Sequence, residues 1–142
     1  MPGRSAQLAM TPFGQLGMTI CYDVRFAYLY RNLALNGAVA MSIPAAFARR
    51  TGEAHWHVLL RARAIETGSY VIAPAQCGSH PGGRQTFGHS MVVDPWGNII
   101  AEAEQEVGIV TADICPDYVD EIRRNMPVLK HGREYIFQDY AI

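Results

Sequence analysis

Three short apolar runs, at residues 15–20, 38–43 and 69–75, alternate with two stretches of helical periodicity. No other feature limits the fold so tightly. Such runs read as buried strands. Residues 24–36 set Phe26, Leu29, Tyr30 and Leu33 on one helical face, and Gly37 suits a left-handed stop. In the second helix Thr51 is placed to cap, Glu53 sits near the positive end, and Leu59, Ala62 and Ile65 form a stripe that closes at Gly68. Strand, helix, strand, helix, strand in this order predicts an α/β sheet layered with helices and joined by right-handed crossovers.

The pattern changes downstream. Residues 89–93 and 99–103 read as strands joined by Asp94-Pro95-Trp96-Gly97-Asn98, which carries type I turn chemistry. Residues 107–112 alternate like a further strand. Pro116 then opens a last helix, with Asp117, Asp120 and Glu121 early and Arg123 and Arg124 late. No repeat, low-complexity tract or linker divides the chain, and 142 residues suffice for one domain with a core. The stretch ahead of residue 15 offers the first buried strand at most one neighbour, so the expectation is a fold lacking its front part.

Composition removes several function classes. With 49% apolar residues, 18% charged residues and a net charge of −1, the chain is ordinary globular material without a basic block, which argues against a nucleic-acid partner. No apolar run is long enough to cross a bilayer, so no membrane partner is expected. Pro2, Gly3, Gln7, Pro12 and Gly14 interrupt any leader pattern. Cys21, Cys77 and Cys115 form neither an even framework nor a CxxC pair, which favours a reducing compartment and hence the cytoplasm.

The chemistry concentrates in Gly17-Met18-Thr19-Ile20-Cys21-Tyr22-Asp23, where a strand delivers a cysteine to a sharp turn before a helix. Backbone N–H groups and the positive end of a helix there suit a nucleophilic sulfur. The competing reading is a packed structural thiol, which is how Cys77 and Cys115 are taken. Five histidines (His55, His57, His80, His89 and His131) supply bases for a Cys–His dyad on residue type alone. His55 and His57, two apart on a helix, point in different directions and make a poor metal pair, and no HExxH motif, CxxC pair or carboxylate cluster completes a metal site. Arg49 and Arg50, read as a loop after the second strand, stand where a clamp on a substrate carboxylate would be or where a solvated loop would be. The glycine-rich loop 76–87 could line a pocket at the same end.

With these residues in view, Gly17-Met-Thr-Ile-Cys21-Tyr-Asp23-Val-Arg25-Phe26 resembles the nucleophile motif of the nitrilase, or carbon–nitrogen hydrolase, superfamily. Pro44-Ala-Ala-Phe47, Thr51-Gly-Glu-Ala-His55-Trp56 running into Leu60-Arg-Ala-Arg-Ala-Ile-Glu66, Gly88-His-Ser90-Met-Val-Val-Asp94-Pro-Trp96-Gly97 and the stretch 127–133 resemble its Nit branch in the same order. The nearest likeness within the branch is to deaminated-glutathione amidases, with ω-amidases next. The resemblance implies an αββα sandwich of which residues 1–142 form the C-terminal part, the front half being absent. It also implies a Glu–Lys–Cys triad, with Cys21 attacking an amide carbonyl and the Tyr22 backbone N–H helping to hold the oxyanion. Phe47, Arg49, Arg50 and Thr51 are the candidate substrate contacts, and no cofactor or metal is implied.

The departures bear on activity. The family's glutamate and lysine precede its cysteine, whereas here the earliest glutamate is Glu53 and the only lysine is Lys130. Ala27-Tyr28 replaces a usual Pro-Glu, and His57 replaces a common glutamate. The expectation is cysteine-dependent hydrolysis of a small carboxylate-bearing amide in the parent enzyme, with the isolated chain inactive. The alternative is a truncated, non-catalytic isoform or a pseudoenzyme acting through oligomerisation. Expected partners are the amide substrate and either further copies of the chain or a missing N-terminal half.

Overall fold

The computed structural model describes residues 3–138; Pro2, read above as breaking a leader pattern, lies outside them. The three apolar runs form adjacent parallel strands: β2 (Gly14–Met18), β3 (Ala38–Ser42) and β4 (Tyr70–Ala73), with Gly17 opposite Met41 and Met41 opposite Val71. β1 (Gln7–Thr11) folds back antiparallel on β2, so that strand has a neighbour on each side. β7 (Met91–Val93) and β8 (Ile99–Glu102) extend the far side antiparallel, giving the sheet order β1-β2-β3-β4-β7-β8.

Alternation along the strands sorts the core. Val71, Ala73, Met91 and Val93 face a helical layer made of α1 (Ala27–Leu35) and α2 (Arg49–Thr67), where Tyr30, Leu33, Trp56 and Leu60 are buried against them. Each of the larger side chains contributes about 2 kcal/mol by leaving water. Tyr70 and Val92 point the other way, into a smaller cluster with Ala40 and with Val119 of α3 (Pro116–Asn125). On that second face Leu16, Val39 and Ile72 are only partly buried. The sheet thus carries two helices on one face and one short helix on the other. No helix among the described residues is long and apolar enough to cross a membrane.

Several expectations need correction. α2 starts at Arg49 with Ala48 as its N-cap, so Arg49 and Arg50 lie in the first helical turn and not in a loop. Thr51 is inside the helix and its hydroxyl donates back to the Ala48 carbonyl at 3.1 Å. The buried stripe of α2 runs through Trp56, Leu60 and Ala64, with Arg63 and Thr67, while Ile65 stays 43% exposed. Residues spaced by three wind off a helical face faster than residues spaced by four, which is why the Leu59–Ala62–Ile65 series leaves the interface.

The expected loop 76–87 holds a small hairpin of β5 (Cys77–Ser79) and β6 (Gln85–Phe87) around a 3-10 turn, Pro81–Gly83. Residues 107–112 form no strand. Val107 and Ile109 are over 90% exposed, because the chain has left the sheet after β8 and finds no ladder to join.

Candidate active site

Beyond Met18 the chain stays extended beside β3, with the Thr19 N–H on the Ser42 carbonyl at 3.1 Å and the Cys21 N–H on the Pro44 carbonyl at 2.8 Å. The Thr19 hydroxyl donates to the Ser42 carbonyl (2.9 Å), which leaves it to accept the buried Tyr30 hydroxyl at 2.7 Å. Burial pushes the Tyr30 phenol well up from its ordinary value, so it keeps its proton and its donor role. At Cys21 the backbone turns left-handed, φ 49°, and a 3-10 turn follows over Cys21–Arg25. A left-handed backbone disfavours any side chain but glycine, and such strain persists only where surrounding structure imposes it. Asp23 imposes part of it: its carboxylate accepts the Ile20 N–H at 2.9 Å while its own N–H donates to the Ile20 carbonyl at 3.0 Å.

Arg63 imposes the rest from α2. It is buried, its Nε donates to the Val24 carbonyl at 2.8 Å, its Nη1 pairs with Glu66 at 2.5 Å, and its guanidinium lies 5.7 Å from the centre of the Tyr30 ring. The motif around Arg63 was visible in the sequence, yet nothing local marked this arginine as buried. Only the carbonyl that it serves, 39 positions earlier, explains it.

Cys21 lines a cleft of about 550 Å³ with Ile20, Pro44, Ala45, Ala75 and Ser90. All but Ser90, which leads into β7, follow the carboxyl ends of β2, β3 and β4, the end at which open α/β sheets take ligands. The cleft wall is extended backbone: the Ala45 N–H binds the Pro74 carbonyl and the Gln76 N–H binds the Ala45 carbonyl, both at 2.9 Å. Ser90 closes that wall, accepting the Ala75 N–H at 2.8 Å and donating to the Ala75 carbonyl at 3.2 Å. The Cys21 sulfur has no hydrogen-bond partner among the described residues, and neither does the Tyr22 N–H. A free sulfur beside a free N–H is what nucleophilic attack and oxyanion stabilisation require.

Among the described residues no histidine ring hydrogen-bonds that sulfur. His55 contacts Arg25, His57 and His89 contact Glu102, and His80 contacts Thr86. A Cys–His dyad within these residues therefore has no support in the geometry. Burial works to raise the Glu102 carboxyl, but hydrogen bonds from His57 and His89 outweigh it and hold the group below its usual range.

The expected substrate contacts fall outside the cleft. Phe47 is buried in the core with its ring centre 4.8 Å from that of Trp56, and it supports the site indirectly: the Arg25 guanidinium sits 5.3 Å from both the Phe47 and the Tyr22 ring centres. That sandwich steadies Tyr22, whose side chain is otherwise exposed. Arg49 is engaged with Glu53 at 3.0 Å and Gln85 at 3.5 Å, and on the same turn Arg50 is exposed and Thr51 half-buried. None of the four lines the Cys21 cleft.

Comparison with known proteins agrees with the fold. A family model described as carbon-nitrogen hydrolase matches residues 1–124. A deaminated glutathione amidase from Synechocystis sp. (strain PCC 6803 / GT-S) is 54% identical over 119 residues, covering 84% of this chain and 44% of that protein. The Homo sapiens protein of the same name is 48% identical over 138 residues, covering 96% of this chain and 42% of its own length. In three dimensions the chain is similar to Saccharomyces cerevisiae Nit3, a member of branch 10 of the nitrilase superfamily, with a TM-score of 0.86, 37% identity and coverage of 92% of this chain and 48% of that one. The chain thus spans a little under half the length of these relatives.

Proposed function

The chain belongs to the carbon–nitrogen hydrolase family, in its Nit branch, and on that premise we propose that Cys21 is the nucleophile for hydrolysis of a small carboxylate-bearing amide. The observation that carries the proposal is the left-handed Cys21 turn, which sets on a cleft a sulfur that, like the next residue's N–H at Tyr22, has no partner among the described residues. The sulfur, once deprotonated, bonds to the amide carbonyl carbon, and the negative charge passes to the carbonyl oxygen. The Tyr22 N–H meets that oxygen. Collapse breaks the C–N bond, the nitrogen leaves as ammonia with an added proton, and a thioester remains on Cys21. Water then cleaves the thioester to the acid and restores the thiol. No cofactor enters these steps.

The base that takes the Cys21 proton and a cation for the oxyanion are the parts for which the described residues offer no candidate at the cleft. We assign them to a glutamate and a lysine of a front half, and residues 1–142 to the C-terminal part of the complete domain. Deaminated glutathione and the ω-amide of a keto acid are the proposed substrates, and the cytoplasm is the proposed compartment, given three free cysteines. The purified 142-residue chain should turn over deaminated glutathione or α-ketoglutaramate little or not at all, since a triad missing members retains only weak catalysis. Fused behind the front half of the Synechocystis relative it should gain turnover, and Cys21→Ala should abolish that gain. Turnover by the chain alone at ordinary enzyme rates would refute the missing-base account, and turnover of the fusion that survives Cys21→Ala would refute the role of Cys21.

A second reading has one observation in its favour, the partly covered sheet face at Leu16, Val39 and Ile72. On it the chain is non-catalytic and acts by associating with copies of itself or with a full-length homologue. A monomer in sedimentation at every concentration tested would count against it.

A further inference from the structure

Three side chains that the proposed chemistry does not use converge on one point. His57 Nε2 lies 2.8 Å and His89 Nδ1 lies 2.7 Å from the same carboxylate oxygen, Glu102 Oε1, and the three donor atoms all fall within 4.8 Å of one another. None of the three lines the Cys21 cleft. We propose that His57, His89 and Glu102 bind a divalent transition-metal ion, zinc in the first instance.

The donor set fits the ion. Two imidazole nitrogens and one carboxylate oxygen are a borderline-soft, three-donor set that suits Zn²⁺ and leaves a fourth position for water. Around a tetrahedral zinc with bonds of about 2.0 Å, neighbouring donors stand roughly 3.3 Å apart. The two short contacts would have to open by about half an ångström, within the reach of side-chain rotation. As the ion enters, each ring carries its proton on the nitrogen that faces away from Glu102, so that the nitrogen now directed at the carboxylate offers its lone pair to the metal.

The site is also held in shape before any ion arrives. His57 projects from the middle of α2, His89 from the connection between β6 and β7, and Glu102 from the last position of β8. His89 has a left-handed backbone, φ 57°, and its carbonyl accepts the Trp56 indole N–H at 2.9 Å while its own N–H donates to the Glu104 carbonyl at 3.2 Å. Its ring stacks on Phe87 with centres 4.3 Å apart, and His57 meets the same Phe87 edge-on at 5.8 Å. Phe87 is itself fixed, since it packs where a side chain at Gly52 would have to be: a Cβ there would fall 2.3 Å from the Phe87 Cβ. A strained backbone whose side chain points into a preformed donor cluster suggests a ligand site. An ion there would tie α2 to the β7–β8 hairpin.

Isothermal titration of the 142-residue chain with Zn²⁺ is the test, with Co²⁺ as a spectroscopic substitute. One zinc per chain should bind saturably, and the thermal midpoint should rise with zinc and fall back on chelation. Glu102→Gln, which keeps shape and hydrogen bonding, and His57→Gln should each weaken binding at least about tenfold, since each deletes a donor from a three-donor set. His131→Gln, outside the cluster, should leave it unchanged. Bound Co²⁺ should give the intense visible absorption of a four-coordinate ion, a readout that needs no variant to fold. The proposal is overturned by the absence of saturable binding, by a weak octahedral cobalt spectrum, or by zinc affinity that survives both Glu102→Gln and His57→Gln in variants with wild-type circular dichroism.

Discussion

The Cys21 turn and the His57–His89–Glu102 cluster both lean on α2, yet they are built in opposite senses. Around Cys21 the scaffold is tied down and the reactive atoms are left free. Thr19, Asp23 and Arg63 take up the neighbouring carbonyls and N–H groups, while the Cys21 sulfur and the Tyr22 N–H have no partner among the described residues. In the cluster the side chains satisfy one another, with two rings on one carboxylate oxygen. Leaving polar atoms unpaired costs stability, so a fold concentrates them where a ligand will complete them. A self-satisfied cluster stabilises the resting fold and yields only to a partner that binds its donors better than protons do. α2 serves both designs, offering Arg63 to one and His57 to the other.

The largest expected effect separates the buried scaffold from the exposed cluster. Arg63→Ala leaves the Val24 carbonyl without its donor and opens space beneath Tyr30, while the half-exposed Glu66 turns to solvent, and it should cost about 3 kcal/mol. Glu102→Gln without metal breaks charge-assisted contacts at a partly exposed position and should cost no more than about 1 kcal/mol. Urea denaturation of both variants gives the comparison directly. Equal midpoints would mean that the turn is no more dependent on buried support than the cluster is.

That contrast also explains what the sequence could disclose. The Cys21 turn was legible because its parts are neighbours: an apolar strand, a cysteine, an Asp two residues on and a helix are read in one window. The three parallel strands and two covering helices followed from the same local periodicity. The start of α2 was misread because Thr51 is a good capping residue by type, whereas Ala48 caps without any side-chain bond. Its buried face was misread because a buried arginine and threonine, Arg63 and Thr67, interrupt the apolar stripe. Residues 107–112 show the converse failure, where alternation was present but no neighbouring strand was. The cluster left no local trace. His57 and Glu102 are 45 positions apart, and the one local metal partner that the sequence offers His57 is His55, with which it cannot share a ligand.

A second, smaller effect sharpens the comparison through pH. Burial raises the Tyr30 phenol above the unfolded value of 10.0, and the nearby Asp23 charge adds to this against the Thr19 hydrogen bond. The folded chain therefore keeps a proton that the unfolded chain surrenders. Stability from this group is complete below pH 10.0 and declines as pH rises beyond it toward the higher folded value. Tyr30→Phe should lose about 1 kcal/mol at neutral pH, the worth of its bond to Thr19, and should show a flatter decline between pH 10 and pH 12. Chemical denaturation across that window decides it, and parallel declines for the two proteins would remove Tyr30 from the scaffold of the turn.

The smallest expected effect tests the design most directly, because both regions contain a non-glycine residue in left-handed conformation: Cys21 at φ 49° and His89 at φ 57°. Glycine relieves that strain by about 1 kcal/mol and gives part of it back through greater freedom in the unfolded chain. At Cys21 the side chain makes no hydrogen bond among the described residues, so Cys21→Gly should be as stable as wild type or more stable by up to about 1 kcal/mol, and more stable than Cys21→Ala, which keeps the strain. At His89 the same relief is outweighed by loss of the contact with Glu102 and the stack on Phe87, so His89→Gly should be destabilised. Opposite signs for the two glycine variants in one denaturation series would mean that the Cys21 side chain is kept despite its conformational cost and the His89 side chain because of its contacts. A Cys21→Gly variant less stable than Cys21→Ala would instead make the thiol turn an ordinary packed corner and would remove the strain argument for a nucleophile.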